Sequence, residues 1–158
     1  MKRTTDKRCT PGEKPCRKGR AESMIGSMKT FILNTSARTE FVNITARVAQ
    51  AVRESNVQEG LCTVFVPHTT AGVTINENAD PSVARDVLMQ LERIAPFEAG
   101  YDHAEENSDA HVKSSLVGPS LTLIVSEGRM ALGAWQGIYF CEFDGPRSRK
   151  FFVKVIAG

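Results

Sequence analysis

The stretch from Leu121 to the C terminus constrains the fold most. Leu121 to Val125 and Met130 to Trp135 read as strands, joined by Ser126-Glu127-Gly128-Arg129, a glycine-bearing turn suited to a two-strand hairpin. Ile138 to Phe143 alternates, with Ile138, Phe140 and Glu142 on one face and Tyr139, Cys141 and Phe143 on the other. Asp144-Gly145-Pro146 marks a tight turn, and Phe151 to Ile156 reads as the closing strand. A set of antiparallel strands this apolar must bury one side against a second layer.

The upstream sequence supplies that layer. Thr30 to Leu33 is a short strand candidate. From Ile44, the apolar positions Ile44, Val48, Ala51 and Val52 fall on one helical face, with Asn43 available to cap the first turn and an end near Asn56. Leu61 to Val66 is apolar on both faces, the pattern of a buried strand, and it delivers Pro67-His68 to a sheet end. Val73 to Ile75 reads as another strand. Asp80-Pro81 then starts a helix, because the carboxylate takes free N–H groups where proline needs none. Val83, Val87, Leu88, Leu91 and Ile94 continue its apolar face to Ala95-Pro96. Ser108 can cap a short helix from Asp109 to Leu116, closed by Gly118. The order predicts an α+β fold, an antiparallel β-sandwich with two longer helices and one short helix.

With 158 residues, 41% hydrophobic and 24% charged, the chain fits one domain over residues 28–158. The formal charge of +2 is unevenly spread. Residues 1–24 hold eight Lys/Arg against three Asp/Glu, about +5, which leaves about −3 for the rest. Residues 1–27 show no apolar periodicity and are expected to form a disordered basic tail, a solvated extension rather than a nucleic-acid arm. Met24 and Met28 each offer a later start. Four scattered cysteines do not make a disulfide framework, and Cys9 and Cys16 in the tail lack zinc-knuckle spacing. No apolar leader follows the N-terminal charges and no run nears the roughly 20 residues that span a bilayer, so a cytoplasmic location without membrane partner is expected.

The chemistry concentrates between Tyr101 and Lys113, which hold His103 and His111, two of only three histidines, among four carboxylates. The third, His68, lies in Pro67-His68-Thr69-Thr70-Ala71-Gly72. Three imidazoles with an open position suit a catalytic metal, yet a spacing of eight on one helix would aim two of them about 80° apart, so spacing alone favours hydrogen-bonded structural histidines over metal ligands. Asp109 and Glu105 are candidate bases or partners of the imidazoles. Lys113, Arg147 and Arg149 are candidates to hold phosphate. Trp135, the only tryptophan, either floors a pocket or fills a gap in the sandwich. Asn76, Glu77 and Asn78 form a polar run that helix entry at Asp80 does not explain. The glycine-rich nucleotide loops and the serine elbow are absent.

Three runs together carry a resemblance: His68 to Pro81, Asn107 to Ser115, and Gly133 to Arg147, the last containing Trp135-Gln136-Gly137 and Cys141-Glu142-Phe143-Asp144-Gly145-Pro146. They resemble the YjbQ-like family of secondary thiamine-phosphate synthases, over roughly Thr30 to Ile156. Two features depart from the family pattern: Ala134 stands where threonine is usual, and the basic tail lies outside it.

The resemblance implies a homotrimer and a weak transferase that joins a hydroxymethylpyrimidine diphosphate to a thiazole phosphate with release of pyrophosphate. It implies a divalent metal, zinc or magnesium, on His68, His103 and His111. Catalysis would rest on His111, Asp109 and Lys113. The small phosphorylated substrate would be bound by Asn76, Glu77, Asn78, Asn107, Ser108, Trp135, Gln136 and Arg147. Two competing functions share these residues: a trimeric metal- or ligand-binding protein with incidental synthase activity, and a metal-dependent phosphohydrolase.

Overall fold

The structure, a computed structural model, describes residues 28–158. The expected basic tail lies outside the described residues. In chain order the elements are β1 (Lys29–Asn34), β2 (Glu40–Asn43), α1 (Thr45–Ser55), β3 (Gly60–Phe65), β4 (Ala71–Glu77), α2 (Pro81–Ile94), α3 (Ser108–Val117), β5 (Ser120–Ser126), β6 (Arg129–Met130), β7 (Gln136–Glu142) and β8 (Ser148–Ala157). Two antiparallel sheets result, a five-stranded one ordered β1-β8-β3-β5-β6 and a three-stranded one ordered β2-β7-β4.

The alternation of β7 decides the layering. Ile138 and Phe140 point into a core shared with the inner face of the large sheet and with Val48, Ala51 and Val52 of α1. Tyr139, Cys141 and Phe143 point the other way, into a second core with Leu91 of α2 and Ala110 of α3. The small sheet is therefore covered on both faces, which is why every residue from Gly137 to Asp144 is buried. The outer face of the large sheet stays open, with Ile32, Leu61, Ile124 and Ile156 exposed.

The local signals act as their chemistry predicts. Asp80 caps α2 by accepting from the Ser82 N–H at 2.8 Å, with Pro81 as the first helical residue. Asn43 accepts from the Thr45 N–H at 2.9 Å at the start of α1. Glu127 and Gly128 both take positive φ, 52° and 71°, in the β5–β6 turn, the pattern that matches the twist of a hairpin.

Three readings need correction. The strand expected over Met130–Trp135 stops at Met130. Beyond it the chain must cross from the large sheet to the small one, and Gly133 and Gln136 bond to each other in a turn (Gln136 N–H to Gly133 O, 3.0 Å). Trp135 is not packed in the sandwich but 65% exposed on that turn. The short helix begins at Ser108 itself, and its cap position is Asn107.

Candidate functional site

His68 follows β3, which is not buried on both faces as its sequence suggests, since Leu61 and Phe65 lie on the open outer face of the large sheet. It ends one wall of a cleft of about 500 Å³. His111 enters from the first turns of α3, and His103 from the segment before it. Arg147 and Arg149 close the side formed by the β7–β8 connection, and Asn107 lies at the base. The fold thus brings the three histidines and the two arginines onto one cavity, across a sequence span that no local pattern could bridge. His103 and His111 meet edge to face, with ring centroids 5.5 Å apart.

The imidazoles differ in their commitments. His68 Nε2 accepts the Lys150 backbone N–H at 3.1 Å. Burial, then the neighbouring Arg149 charge, lowers the His68 pKa below its ordinary 6.5, so the ring is neutral near pH 7. Among the described residues, no three His, Cys, Asp or Glu side chains are grouped closely enough to hold a metal ion.

Beneath the cleft runs a buried charge network. Asp109, 1% exposed, accepts from Lys113 at 2.8 Å and from Arg38 at 3.0 Å. Lys113, also 1% exposed, reaches Glu92 of α2 as well. Asp144 accepts from Asn107 at 3.0 Å and from Arg147 at 2.6 Å. Glu142, fully buried, accepts from Arg149 Nε at 2.7 Å and from Thr35 at 3.0 Å, while Arg149 also donates to Thr70 at 2.9 Å. Four cations, Arg38, Lys113, Arg147 and Arg149, thus face four carboxylates, Glu92, Asp109, Glu142 and Asp144. The network is balanced, so what remains to meet an anionic ligand is the exposed edge of Arg147 and the imidazole N–H groups.

Asn107 is the exception to this pairing. Its amide N–H₂ is fixed on Asp144, and its buried Oδ1 has no partner. A buried acceptor left open costs about 1–3 kcal/mol, and such groups in a cleft mark a place where a ligand donor or a cation completes the set.

The remaining sequence-derived candidates divide. Ser108 sits beside Asn107 at the start of α3. Lys113 is not part of the cleft wall; its ammonium is enclosed by Asp109 and Glu92, so it holds α3 to α2 instead of facing a phosphate. Asn76, Glu77, Asn78, Trp135 and Gln136 lie at the far end of the small sheet. There Glu77 pairs with Gln136, whereas Ala71 pairs with Glu142 near the histidines. Six residue steps along β4 place the two ends roughly 20 Å apart at about 3.4 Å per step. Asn78 Oδ1 is occupied by Asn43 and by the Tyr139 hydroxyl, and a Cβ on Gly137 would stand 2.8 Å from Asn78 Cβ, which is why glycine is needed there. One chain therefore does not gather this group with the histidines. Sequence reasoning missed Arg38, Thr70, Asp144 and Glu142. Only Glu142 carried a signal, as a carboxylate at an inward position of an alternating strand.

The model of the UPF0047 protein YjbQ-like family matches residues 29–158. The chain belongs to this family. A UPF0047 protein of Methanocaldococcus jannaschii is 53% identical over 133 residues, covering 84% of this chain and 96% of the relative. The UPF0047 protein YugU of Bacillus subtilis is 48% identical over 130 residues, with 82% and 98% covered. A YjbQ/UPF0047 crystal structure from Clostridium acetobutylicum superposes with a TM-score of 0.80 at 54% identity, over 81% of this chain and 99% of that one. These names carry a family and a fold but no reaction. The YjbQ-like fold is the mixed α+β arrangement with antiparallel sheets described above. Among the described residues, no helix is long and apolar enough to cross a membrane.

Proposed function

We propose that the cleft binds a small phosphorylated substrate, and that this YjbQ-like protein is a thiamine-phosphate-synthase-like transferase. The convergence of His68, His103, His111 and Arg147 on one cavity carries the phosphorylated-substrate reading. The particular reaction rests on the family resemblance. In it, the thiazole nitrogen forms a bond to the pyrimidine methylene carbon as the carbon–oxygen bond to diphosphate breaks, and the bonding pair leaves on the diphosphate oxygen. The developing charge is on that oxygen, so donors fixed before the reaction are worth most there. Arg147 and the N–H groups of His103 and His111 supply them. Asp109 and Lys113 act at one remove: their ion pair fixes the turn of α3 that carries His111.

A divalent metal, zinc or magnesium, is a separate proposal. The orphan Oδ1 of Asn107, a residue that lines the same cleft as the His103–His111 pair, is the feature that favours it. A three-histidine set would require His68 to release the Lys150 N–H and approach that pair. Metal content of the purified protein checks this directly. The homotrimer is likewise a proposal, checked by light scattering against three times the 17.3 kDa chain mass.

Incubating the protein with both phosphorylated substrates and assaying thiamine phosphate and pyrophosphate tests the function. His111→Ala is expected to lower the rate by about 10²-fold or more, the usual range for a positioned proton donor. Activity within about threefold of the unmodified protein would remove the assignment. Release of inorganic phosphate from the diphosphate without the thiazole partner would favour the phosphohydrolase, which the same donor set supports.

A further inference from the structure

A second hollow, of about 380 Å³, lies under the segment between α2 and α3 and is lined by Phe97, Tyr101, His103 and Glu106. It shares His103 with the histidine cleft, so the two cavities meet at one imidazole. We infer that this hollow is the subsite for the planar aromatic ring of the phosphorylated substrate, with the phosphate extending past His103 toward Arg147. The inference rests on the phosphorylated-substrate reading above.

Three features of the hollow suit such a ring. Its volume lies within the roughly 300–1,000 Å³ of small-molecule sites. Phe97 and Tyr101 present partly exposed aromatic surface, at 41% and 37% exposure, with Arg38 over one face of the Phe97 ring. A flat ring stacked on either removes that surface from water. Glu98 and Glu106 supply acceptors for ring N–H or amino donors, which favours a nitrogen heterocycle over a plain hydrocarbon ring.

The aromatic wall is also fixed rather than loose. The Arg38 guanidinium lies 4.0 Å from the Phe97 ring centroid. Arg38 is tied to Asp109 and lies 3.8 Å from Asp144, which in turn holds Asn107 and Arg147. One network therefore sets both the stacking surface and the arginine expected to meet the phosphate. The junction is held as well: Glu106 adopts a left-handed φ of 55°, uncommon for a non-glycine residue, and its N–H bonds the His103 carbonyl at 3.1 Å. By contrast, the exposed Trp135 surface lies at the far end of the small sheet, out of reach of a ligand whose phosphate is in the cleft of the same chain.

Calorimetric titration with inorganic phosphate and with phenyl phosphate separates ring from phosphate binding. Phenyl phosphate is expected to bind about tenfold or more tightly than inorganic phosphate. Tyr101→Ala should reduce that preference to about twofold while leaving the inorganic phosphate affinity unchanged, and Tyr101→Phe should restore it. Tyr101 is exposed and makes no core contact, so these variants fold. Equal affinity for the two probes, or a preference unaltered by Tyr101→Ala, overturns the ring subsite and leaves the phosphate reading standing. Failure of both probes to bind overturns the phosphate reading and the subsite together.

Discussion

Replacing Arg149 with methionine tests the central claim that the cleft is built on a balanced buried network. Glu142 is 0% exposed, and Arg149 is its only cationic partner among the described residues. Arg149→Met keeps much of the side-chain volume but removes the bonds to both Glu142 oxygens and to Thr70. A carboxylate stranded in this way costs about 3–5 kcal/mol. Against a typical domain stability of about 5–15 kcal/mol, that is a large share, and it corresponds to a fall in Tm on the order of 10–20 °C. Urea denaturation followed by circular dichroism measures it.

The pH dependence gives the diagnostic sign. In the native protein, burial by itself would raise the Glu142 pKa. The Arg149 hydrogen bonds, the Asp144 N–H and the Arg149 charge outweigh it, and the pKa falls below its ordinary 4.5. A depressed carboxyl contributes stability that is complete above about 4.5 and is lost as the pH falls through the folded value. In Arg149→Met only burial and two backbone N–H groups with Thr35 act on Glu142, and burial wins, so the folded state now holds its proton more tightly than the unfolded one. The deficit of the variant should therefore shrink between about pH 7 and pH 5. Adding Glu142→Gln should recover part of the loss and flatten that change. A deficit under about 1 kcal/mol near pH 7, or one equal at both pH values, would refute the reasoning.

Two further outcomes follow from the same geometry. The His68 imidazole should titrate with a midpoint below 6.5 by NMR, and Arg149→Met should move it upward, because the Arg149 charge that helps depress it is gone. Trp135→Ala should change stability by no more than about 0.5 kcal/mol and leave phosphate affinity in the monomeric cleft unaltered, since the ring is exposed and remote. A large loss in either property would show that Trp135 is covered or joined to the cleft after all.

Several elements were written locally. Asp80-Pro81 starts α2 because cap and first-turn chemistry involve neighbours in sequence. The Ile138 to Phe143 alternation separates two cores because a strand turns its side chains by period two, whatever surrounds it. β2 carried no such signal, since only Phe41 and Val42 are apolar in its four residues, and pairing with β7 made it a strand.

The candidate site divides in the same way. Sequence determined that histidines and arginines were available, and the motif runs that identify the family. Tertiary structure decided which of them meet. Asp109 and Lys113 read as site residues on a short helix, a base and a phosphate holder, yet both are buried, because Glu92 and Arg38 arrive from distant segments to pair with them. The Trp135-Gln136 and Asn76-Asn78 runs seemed to belong with the histidines, but extended β-strands carry motif ends apart by a few ångströms per residue. Capping and alternation depend on a few bonds along the chain, so sequence specifies them; burial of a charge and convergence on a cleft depend on partners from elsewhere, so only the packed fold does.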